Sequence, residues 1–479
     1  MFSTDLGAIT PMLCVALAAL GTMAYEAFRK PGEKMPVGVF GIIGLAGAAV
    51  ASIFLWNRNT ESFGVIVADN FALFITVTLV VVGILTIMFS SQVLHRDDFP
   101  KGEYYTLLLF SIVGMMMMAS ANDLLVIFVA LEVLSLAVYV LTGIRRDNPR
   151  GTEAAFKYFL LGAFSSAFFL YGIAFTYGIT GSTRLTAVGS YLSAQALASN
   201  PLVLIALGLL LVGFAFKISA VPFHMWTPDA YEGAPAIVTG FMSTGVKAAA
   251  FAAFARVFLS SFEPFRGDWA PIVAALAALT MILGTVVGVA QSNLKRMLAY
   301  SSIAHGGYLL VGLVAANDVG KAAILFYLLA YSVTNLAAFG AIALLGARDR
   351  EADELRDFTG LWNSHPALAA LMTVCLLSLG GLPPTVGFIG KWYIFSAAVS
   401  AGYYWLAIIG VLTSVVSVFF YLRVVVMMYM AERTTAPVPT RVTVVGMGAL
   451  VLSIVAIFYL GILPAPVMNY AAESIATIF

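Results

Sequence analysis

The sequence predicts an all-α polytopic membrane protein with about fourteen transmembrane helices. Of its 479 residues, 61% are hydrophobic and only 10% are charged, and the mean hydropathy is +0.97. A soluble chain of this length needs far more charge to cover its surface. Two further observations support the prediction: a series of long apolar runs, and the distribution of Lys and Arg between them. The net charge of +1 gives no reason to expect a nucleic-acid partner.

The apolar runs are long enough to cross the hydrocarbon core of a bilayer, which takes about 20 residues of helix. They are continuous rather than alternating, which favours helices over the strands of a barrel. We number them spans 1 to 14, and they cover residues 6–27, 36–56, 70–93, 104–120, 123–144, 153–180, 202–221, 236–258, 270–290, 297–316, 320–346, 366–400, 403–431 and 442–463.

The basic residues predict the orientation, because Lys and Arg collect on the cytoplasmic side of a membrane. If the N-terminus is outside, the inner loops hold fifteen basic residues and the outer loops hold four, and the remaining six of the 25 lie within spans. This asymmetry predicts that both termini lie on the outer, periplasmic side. The N-terminus lacks the positive region of a secretory signal, so we expect span 1 to be permanent.

Spans 7 and 12 are interrupted by proline. In span 7, Lys217 is followed by Pro222 and Trp226, and in span 12 Pro383-Pro384 is followed by Lys391 and then Trp392. Proline removes a backbone donor and breaks a helix. We therefore predict a non-helical break at each of these two places.

Paired interrupted spans suggest an inverted repeat with a site near mid-membrane. Because spans 7 and 12 are five spans apart, their orientations in the membrane are opposite. We predict two inverted five-helix repeats within a single membrane domain, spans 4–8 at residues 104–258 and spans 9–13 at residues 270–431. Three N-terminal spans at 1–95 precede them, and a C-terminal span at 442–479 follows.

Ionisable residues inside spans are costly, at roughly 2.5–3.5 kcal/mol for a charge at the bilayer centre. Glu132 is the only acidic residue in the middle of a span. Arg256 and Arg423 lie near span ends, so we expect them to extend to the interface. Lys157 lies about one turn inside span 6, where either extension to the interface or a functional role is possible. The six basic residues within spans are Lys157, Lys217, Lys247, Arg256, Lys391 and Arg423.

Four residues lie too far from a span end to reach water easily: Glu132, Lys217, Lys247 and Lys391. One explanation is a buried ion pair that fixes packing, but a single carboxylate cannot neutralise three amines. Burial disfavours the charged form of an amine, so a buried lysine can gain and lose a proton near neutral pH. We therefore predict that these residues form a proton relay.

Two histidines extend the predicted relay. His305 lies in the middle of span 10, between the helices that carry Lys247 and Lys391, and His224 lies at the break of span 7. Histidine titrates near neutral pH, although a neutral, hydrogen-bonded helix contact is the alternative for each. We assign no role to the two loop histidines, His95 and His365.

Nothing in the sequence indicates a metal or redox centre. Cys14 and Cys375 lie in apolar runs and form no CxxC motif, so we interpret them as small core residues. There is no glycine-rich GxGxxG motif and no nucleophile elbow. We therefore expect no cofactor, no metal and no covalent catalysis in this chain.

Four stretches resemble the subunit N family of NADH-quinone oxidoreductase, or respiratory complex I: residues 157–167, 217–235, 298–305 and 329–336. The resemblance extends over nearly the whole chain. It implies an antiporter-like subunit of the membrane arm. In this family a Glu on span 5 pairs with a Lys on span 7, and lysines on spans 8 and 12 continue a hydrated axis. Those positions are occupied here by Glu132, Lys217, Lys247 and Lys391.

A lysine at position 391, rather than a glutamate, favours subunit N over its sister subunit M. The absence of a long lateral helix after span 14 argues against subunit L. The resemblance implies proton translocation coupled to quinone reduction, with quinone, flavin and iron–sulfur clusters held by other subunits. It also implies partners in the membrane arm, the lipid bilayer, protons and water, and a location in the inner (plasma) membrane of a bacterium.

The sequence is also compatible with two other functions. A subunit of a multi-subunit cation/proton antiporter is the nearest alternative, because such complexes contain related chains. A structural scaffold, in which the buried charges only fix packing, is the other.

Overall fold

The computed structural model confirms the all-α membrane fold. Within the described residues, thirteen helices are long and apolar enough to cross a membrane, and two shorter apolar helices make up span 12. A small antiparallel hairpin, β1 (Thr60–Ser62) and β2 (Ile66–Ala68), links spans 2 and 3. The structure describes residues 6–29, 37–97, 99–194, 200–346, 351–432 and 442–478.

The observed spans follow the predicted order, with ends that differ by a few residues. Spans 1 to 6 are Thr10–Phe28, Gly38–Leu55, Asn70–Arg96, Lys101–Ser120, Leu124–Thr142 and Pro149–Thr180. Span 7 is Pro201–Ile218 with Trp226–Gly233, and span 8 runs over Ala236–Ser261. Spans 9 to 14 are Arg266–Val289, Leu294–Ala315, Asp318–Leu345, Pro366–Gly380 with Val386–Ser400, Tyr404–Met430 and Val444–Ile462.

The predicted break in span 7 is confirmed. The first half-helix ends at Ile218, Ser219 adopts a left-handed conformation with φ of 64°, and the second half-helix begins at Trp226. The backbone groups freed by the break find partners inside the protein. The indole of Trp226 donates to the carbonyl oxygen of Phe216 at 3.0 Å, and the amide of Val221 donates to Thr280 Oγ1 at 2.9 Å. Such pairing is required because lipid cannot satisfy these groups.

The predicted break in span 12 is also confirmed. The first half-helix ends at Gly380, and the second begins at Val386. Gly381 has a φ of 82°, a left-handed conformation that favours glycine because it has no Cβ. The carbonyl oxygens of Leu379 and Gly380 accept hydrogen bonds from the Lys391 side chain. Like the first break, this one therefore lies against a buried lysine.

Span 8 contains an irregularity that the sequence did not predict. A π-helical segment at Met242–Val246 ends directly before Lys247, and a second one covers Val257–Ser261. The hydroxyl groups of Ser243 and Thr244 both donate to the carbonyl oxygen of Gly240, at 2.9 and 2.8 Å. Side-chain bonds of this kind compete with the regular helical ladder, and π-helical turns are frequent at functional sites.

Spans 8, 10 and 11 form the centre of the bundle. In the apolar 18-residue stretch of each of these spans, 100%, 94% and 94% of the residues are buried. In spans 1, 2 and 6 the corresponding shares are only 28%, 33% and 33%. Two glycines allow spans 9 and 10 to approach closely. A Cβ on Gly284 would lie 2.7 Å from the backbone nitrogen of Ala304, and one on Gly307 would lie 2.9 Å from that of Met281. The helix that carries His305 thus packs closely against span 9.

Several short helices were not predicted, because they are too short for a span. The longest two are Leu185–Ala194, between spans 6 and 7, and Ala465–Ile475, after span 14. The division into three N-terminal spans, two inverted repeats and a C-terminal span stays a prediction.

Candidate functional site: a row of buried amines

The three predicted relay lysines lie inside the protein. Lys217, Lys247 and Lys391 are 3%, 2% and 4% exposed. Among the described residues, no carboxylate oxygen lies within 4.0 Å of any of these three amines. The interpretation that such charges are merely ion pairs that fix packing therefore does not fit their surroundings.

Lys217 is in the last turn of the first half of span 7 and has an aromatic environment. Its Nζ lies 5.4 Å from the ring centre of Tyr139 and 5.5 Å from that of Tyr158, and it has no hydrogen-bond partner in the protein. Ring faces attract a cation, and the C-terminal end of a helix does the same. These contacts favour the charged form of the amine, whereas its burial opposes it.

Glu132 of span 5 is half-buried, and its Oε1 is buried without a hydrogen-bond partner. Its carboxylate and the amine of Lys217 do not form an ion pair within 4.0 Å. A buried polar atom without a protein partner is a position that water stabilises.

Lys247 connects three spans. Its Nζ donates to the carbonyl oxygen of Ser302 at 2.5 Å and to Ser302 Oγ at 2.7 Å. The hydroxyl of Tyr331 donates to the same Ser302 Oγ at 2.8 Å. The amine of span 8 is thus held by neutral groups of spans 10 and 11.

His305 is buried between two tyrosines. Its Nδ1 lies 2.6 Å from the hydroxyl oxygen of Tyr327, and its Nε2 lies 3.4 Å from that of Tyr421. The Tyr421 hydroxyl is also hydrogen-bonded to Ser301 Oγ. Both ring nitrogens therefore face hydroxyl groups, and neither lies in direct contact with a lysine.

Lys391 lies in the second half of span 12, and its amine reaches back across the break. Nζ donates to the carbonyl oxygens of Leu379 and Gly380, at 2.9 and 3.0 Å, and to Ser414 Oγ of span 13 at 2.8 Å. The ring centre of Tyr308 lies 5.2 Å away.

The remaining two candidates differ from these. His224 is half-buried in the break of span 7, and its Nδ1 has no hydrogen-bond partner. The side chain of Lys157 is 45% exposed and forms ion pairs with Glu153, at 2.6 Å, and with Asp229, at 3.0 Å. The structure therefore places Lys157 on the exposed face of span 6 and not in the buried row.

The expectation that Arg256 extends to the interface is wrong. Its guanidinium is buried and donates to both carboxylate oxygens of Asp69, at 2.7 and 2.9 Å. Asp69 precedes span 3 and also accepts a hydrogen bond from the amide of Ala72. The sequence of span 8 alone gives no sign of this partner of Arg256, because it lies beside a different span. Arg423 is partly exposed and donates to the carbonyl oxygens of Val289 and Gln291.

The hydroxyl groups around the amines were missed, although their spacing carries a signal. Ser301 and His305 are four residues apart on span 10, as are Tyr327 and Tyr331 on span 11. Residues three or four apart lie on one face of a helix. A polar stripe on an otherwise apolar span therefore indicates a face that is turned towards polar neighbours.

An ionic cluster lies at the end of the helix bundle where spans 8 and 10 begin. Glu351 accepts from the amide of Ala236 at 3.0 Å, pairs with Lys295 at 2.8 Å and lies 3.7 Å from Arg145. Arg145 also pairs with Asp97. Burial alone would raise the pKa of Glu351, but Lys295 and Arg145 outweigh it and hold this pKa below its usual value. The cluster borders an open cleft of about 790 Å³.

Within the described part of the chain, no group of three or more His, Cys, Asp or Glu side chains is arranged to hold a metal ion.

Comparisons with known proteins show the family to which the chain belongs. Residues 121–417 match the family described as NADH:quinone oxidoreductase/Mrp antiporter, transmembrane. NADH-quinone oxidoreductase subunit N of Trichlorobacter lovleyi is 43% identical, over 100% of this chain and 99% of the relative. Subunit N 1 of Solibacter usitatus is 44% identical, over 97% of this chain and 96% of the relative.

Solved structures show the same fold. A chain of respiratory complex I from Thermus thermophilus with bound aureothin superposes with a TM-score of 0.81 and 36% identity, covering 96% of this chain and 99% of its own length. A chain of the Mrp complex from Dietzia sp. DQ12-45-1b gives a TM-score of 0.85 at 22% identity, over 99% and 97%. The second likeness is evidence of fold alone. The multi-span chain described here belongs to the NADH:quinone oxidoreductase/Mrp antiporter family and, within it, to the subunit N family of NADH-quinone oxidoreductase.

Proposed function

We propose that this chain relays protons across the inner membrane of a bacterium as a membrane-arm subunit of an NADH:quinone oxidoreductase. The carriers are Glu132, Lys217, Lys247, His305 and Lys391, together with the water between them. Quinone reduction takes place in other subunits, which hold the flavin, the iron–sulfur clusters and the quinone. This chain contributes proton transfer and no redox step.

The observation that carries the proposal is the set of three buried amines without carboxylate partners. An ammonium group that is buried without an acid is stabilised only by neutral dipoles, so its charged and neutral forms are close in free energy. The contacts fit both forms, because carbonyl and hydroxyl oxygens around Lys247 and Lys391 accept hydrogen bonds from either an ammonium or a neutral amine. A group of this kind can accept and release a proton without a large movement.

Glu132 is proposed as the control element of the relay. When its carboxylate is ionised, it favours the ammonium form of Lys217; when it is protonated or displaced, Lys217 releases its proton. We propose that the charge then passes to Lys247 and on to Lys391. At about 8 Å and an effective dielectric near 20, such a pair interacts by about 2 kcal/mol, enough to change the protonation equilibrium more than tenfold.

The two outlying candidates have weaker support. His224 has an unpartnered ring nitrogen in the break of span 7, so we retain it as a relay group on the Lys217 side. Lys157 is exposed and paired with two carboxylates. If it has a role in transfer, that role is at the surface of the protein.

The membrane orientation is part of the proposal, with both termini on the periplasmic side. The asymmetry of the basic residues supports it. Six of the fifteen residues that we assign to inner loops lie outside the described residues, namely Lys30, Lys34, Arg348, Arg350, Arg433 and Arg441.

The decisive experiment measures proton pumping and quinone reduction together in membrane vesicles that contain the assembled complex. Lys247→Met should leave the complex assembled and lower pumping by several-fold, because methionine cannot carry a proton. The matched control is Lys321→Met, which changes a lysine at the start of span 11, outside the buried row. Normal pumping by a well-assembled Lys247→Met complex would exclude Lys247 from the relay.

Co-purification separates this proposal from a cation/proton antiporter. If the native assembly carries flavin and iron–sulfur absorbance and oxidises NADH, the complex I assignment holds. An assembly without these chromophores that exchanges sodium for protons would support the antiporter instead.

A further inference from the structure

A hydrogen-bonded chain of side chains lies on the spans that also hold the amines of Lys247 and Lys391. The chain runs from Ser301 to the Tyr421 hydroxyl, to the two ring nitrogens of His305, and to the Tyr327 hydroxyl. These side chains come from spans 10, 13 and 11. All four are buried.

Each end of this chain is related to one of the two lysines through a neighbouring residue. Ser301 directly precedes Ser302, whose oxygen atoms accept hydrogen bonds from the Lys247 amine. At the other end, Tyr327 packs against Gly390, the residue before Lys391. A Cβ on Gly390 would lie 2.3 Å from Cδ2 of Tyr327, so this close approach requires glycine.

The chemistry of the chain allows it to carry protons. A hydroxyl group and a neutral imidazole each donate one hydrogen bond and accept another. When a proton enters at one end, each member passes its own proton to the next, and one leaves at the other end. The number of protons in the chain is unchanged, but every donor has become an acceptor. His305 changes from one neutral tautomer to the other.

The chain has two orientations, and each leaves one terminal hydrogen pointing out of it. If Tyr327 donates to Nδ1, then Nε2–H donates to Tyr421, Tyr421 donates to Ser301, and the Ser301 hydrogen needs an acceptor outside the chain. In the opposite orientation Ser301 donates to Tyr421, Tyr421 donates to Nε2, Nδ1–H donates to Tyr327, and the Tyr327 hydrogen points out of the chain. The direction in which the two tyrosines donate therefore decides which nitrogen of His305 carries hydrogen.

We propose that Tyr421 and Tyr327 are members of the proton path: Tyr421 passes protons between Ser301 and His305, and Tyr327 connects His305 to the Lys391 side. This inference deepens the function proposed above and rests on it. Transfer between the two lysines then depends on hydroxyl groups as well as on amines. Because each transfer reverses the chain, the chain must reset before the next proton can follow in the same direction.

The test uses Tyr421→Phe and Tyr327→Phe in the intact complex, since phenylalanine keeps the ring and removes only the hydroxyl. Both variants should assemble, lower pumping by several-fold and increase the effect of D₂O on the pumping rate. The matched control is Tyr104→Phe, because Tyr104 is equally buried on span 4 and its hydroxyl has no hydrogen-bond partner. Pumping by both tyrosine variants at the level of the control would overturn the inference.

A double-mutant cycle separates a role in the path from a role in packing. If Tyr421 acts through His305, adding Tyr421→Phe to His305→Gln should cause no further loss of pumping, because the chain is already interrupted. Additive losses would show that Tyr421 acts through packing, and would overturn its place in the path. Lys247→Met is measured in parallel: if it pumps normally, the proposed function itself fails, whereas impaired Lys247→Met with normal tyrosine variants overturns only this inference.

Discussion

The amine of Lys391 lies 3.0 Å from the carbonyl oxygen of Gly380, on the far side of the break in span 12. It therefore caps the C-terminal end of a half-helix to which it does not belong. Lys217, at the other break, lies in the last turn of its own half-helix and has no hydrogen-bond partner. The two breaks resemble each other in sequence, but they hold their lysines differently, so equivalent substitutions should have unequal structural effects.

Lys391→Met should lower both pumping and stability, because it leaves the carbonyl oxygens of Leu379 and Gly380 without their donor. Each unsatisfied buried acceptor costs about 1–3 kcal/mol. Lys217→Met should lower pumping with a smaller loss of stability, since no hydrogen bond is removed. Thermal unfolding of the two purified complexes, with pumping measured beside it, checks this difference; equal melting temperatures would contradict it.

Glu132→Gln should leave the complex assembled but slow it or uncouple quinone reduction from pumping, because the control charge beside Lys217 is lost. Glu132→Asp keeps a carboxylate and should retain part of the activity. The measurement is the ratio of protons pumped to quinone reduced in vesicles. Wild-type values of both quantities in Glu132→Gln would mean that the switch does not act through this residue.

Arg256→Leu should destabilise the protein strongly, because it leaves the Asp69 carboxylate buried without its counter-charge. Breaking one side of a buried ion pair costs roughly 3–5 kcal/mol. Arg423→Leu is the control, since that arginine is partly exposed and bonds only to uncharged groups. The yield of assembled complex and its melting temperature give the comparison, and similar values for the two variants would argue against an important ion pair.

The Glu351 cluster should loosen in acid. Because the pKa of Glu351 is held below the usual value of 4.5, its contribution is fully present above pH 4.5 and is lost as the pH falls through the lower, folded-state value. Hydrogen exchange of the Ala236 amide, which donates to Glu351, should therefore accelerate below pH 4.5 beyond the change expected for an unprotected amide. In Glu351→Gln the exchange should already be faster at pH 7, with no such additional acceleration in acid.

A reporter enzyme that is active only in the cytoplasm should be inactive when fused after the C-terminal residue. The prediction follows from fourteen spans and an outside N-terminus. A second fusion after Arg146, between spans 5 and 6, should be active and serves as the positive control. Activity of the C-terminal fusion would mean that the span count is wrong by one helix.

The parts of this site that the sequence predicts are those set by local chemistry. Proline at 222 and at 383–384 must break a helix, and an amine in the middle of an apolar run must be buried or hydrated. The partners of these groups depend on packing between distant segments. Ser302 is 55 residues from Lys247, and Asp69 is 187 residues from Arg256. The π-helical segment before Lys247 likewise contacts a distant span, since Asn335 of span 11 donates to Ser243 within it.

That π-helical segment, Met242–Val246, determines where span 8 can change in length. A π turn accommodates one more residue than an α turn. Deleting one residue inside it should restore a regular α-helix and leave Lys247 facing Ser302. Deleting one residue from the regular stretch Ala236–Phe241 instead should rotate Lys247 by about 100° relative to the start of the span. Natural variation in the length of span 8 before Lys247 should therefore be confined to those five residues.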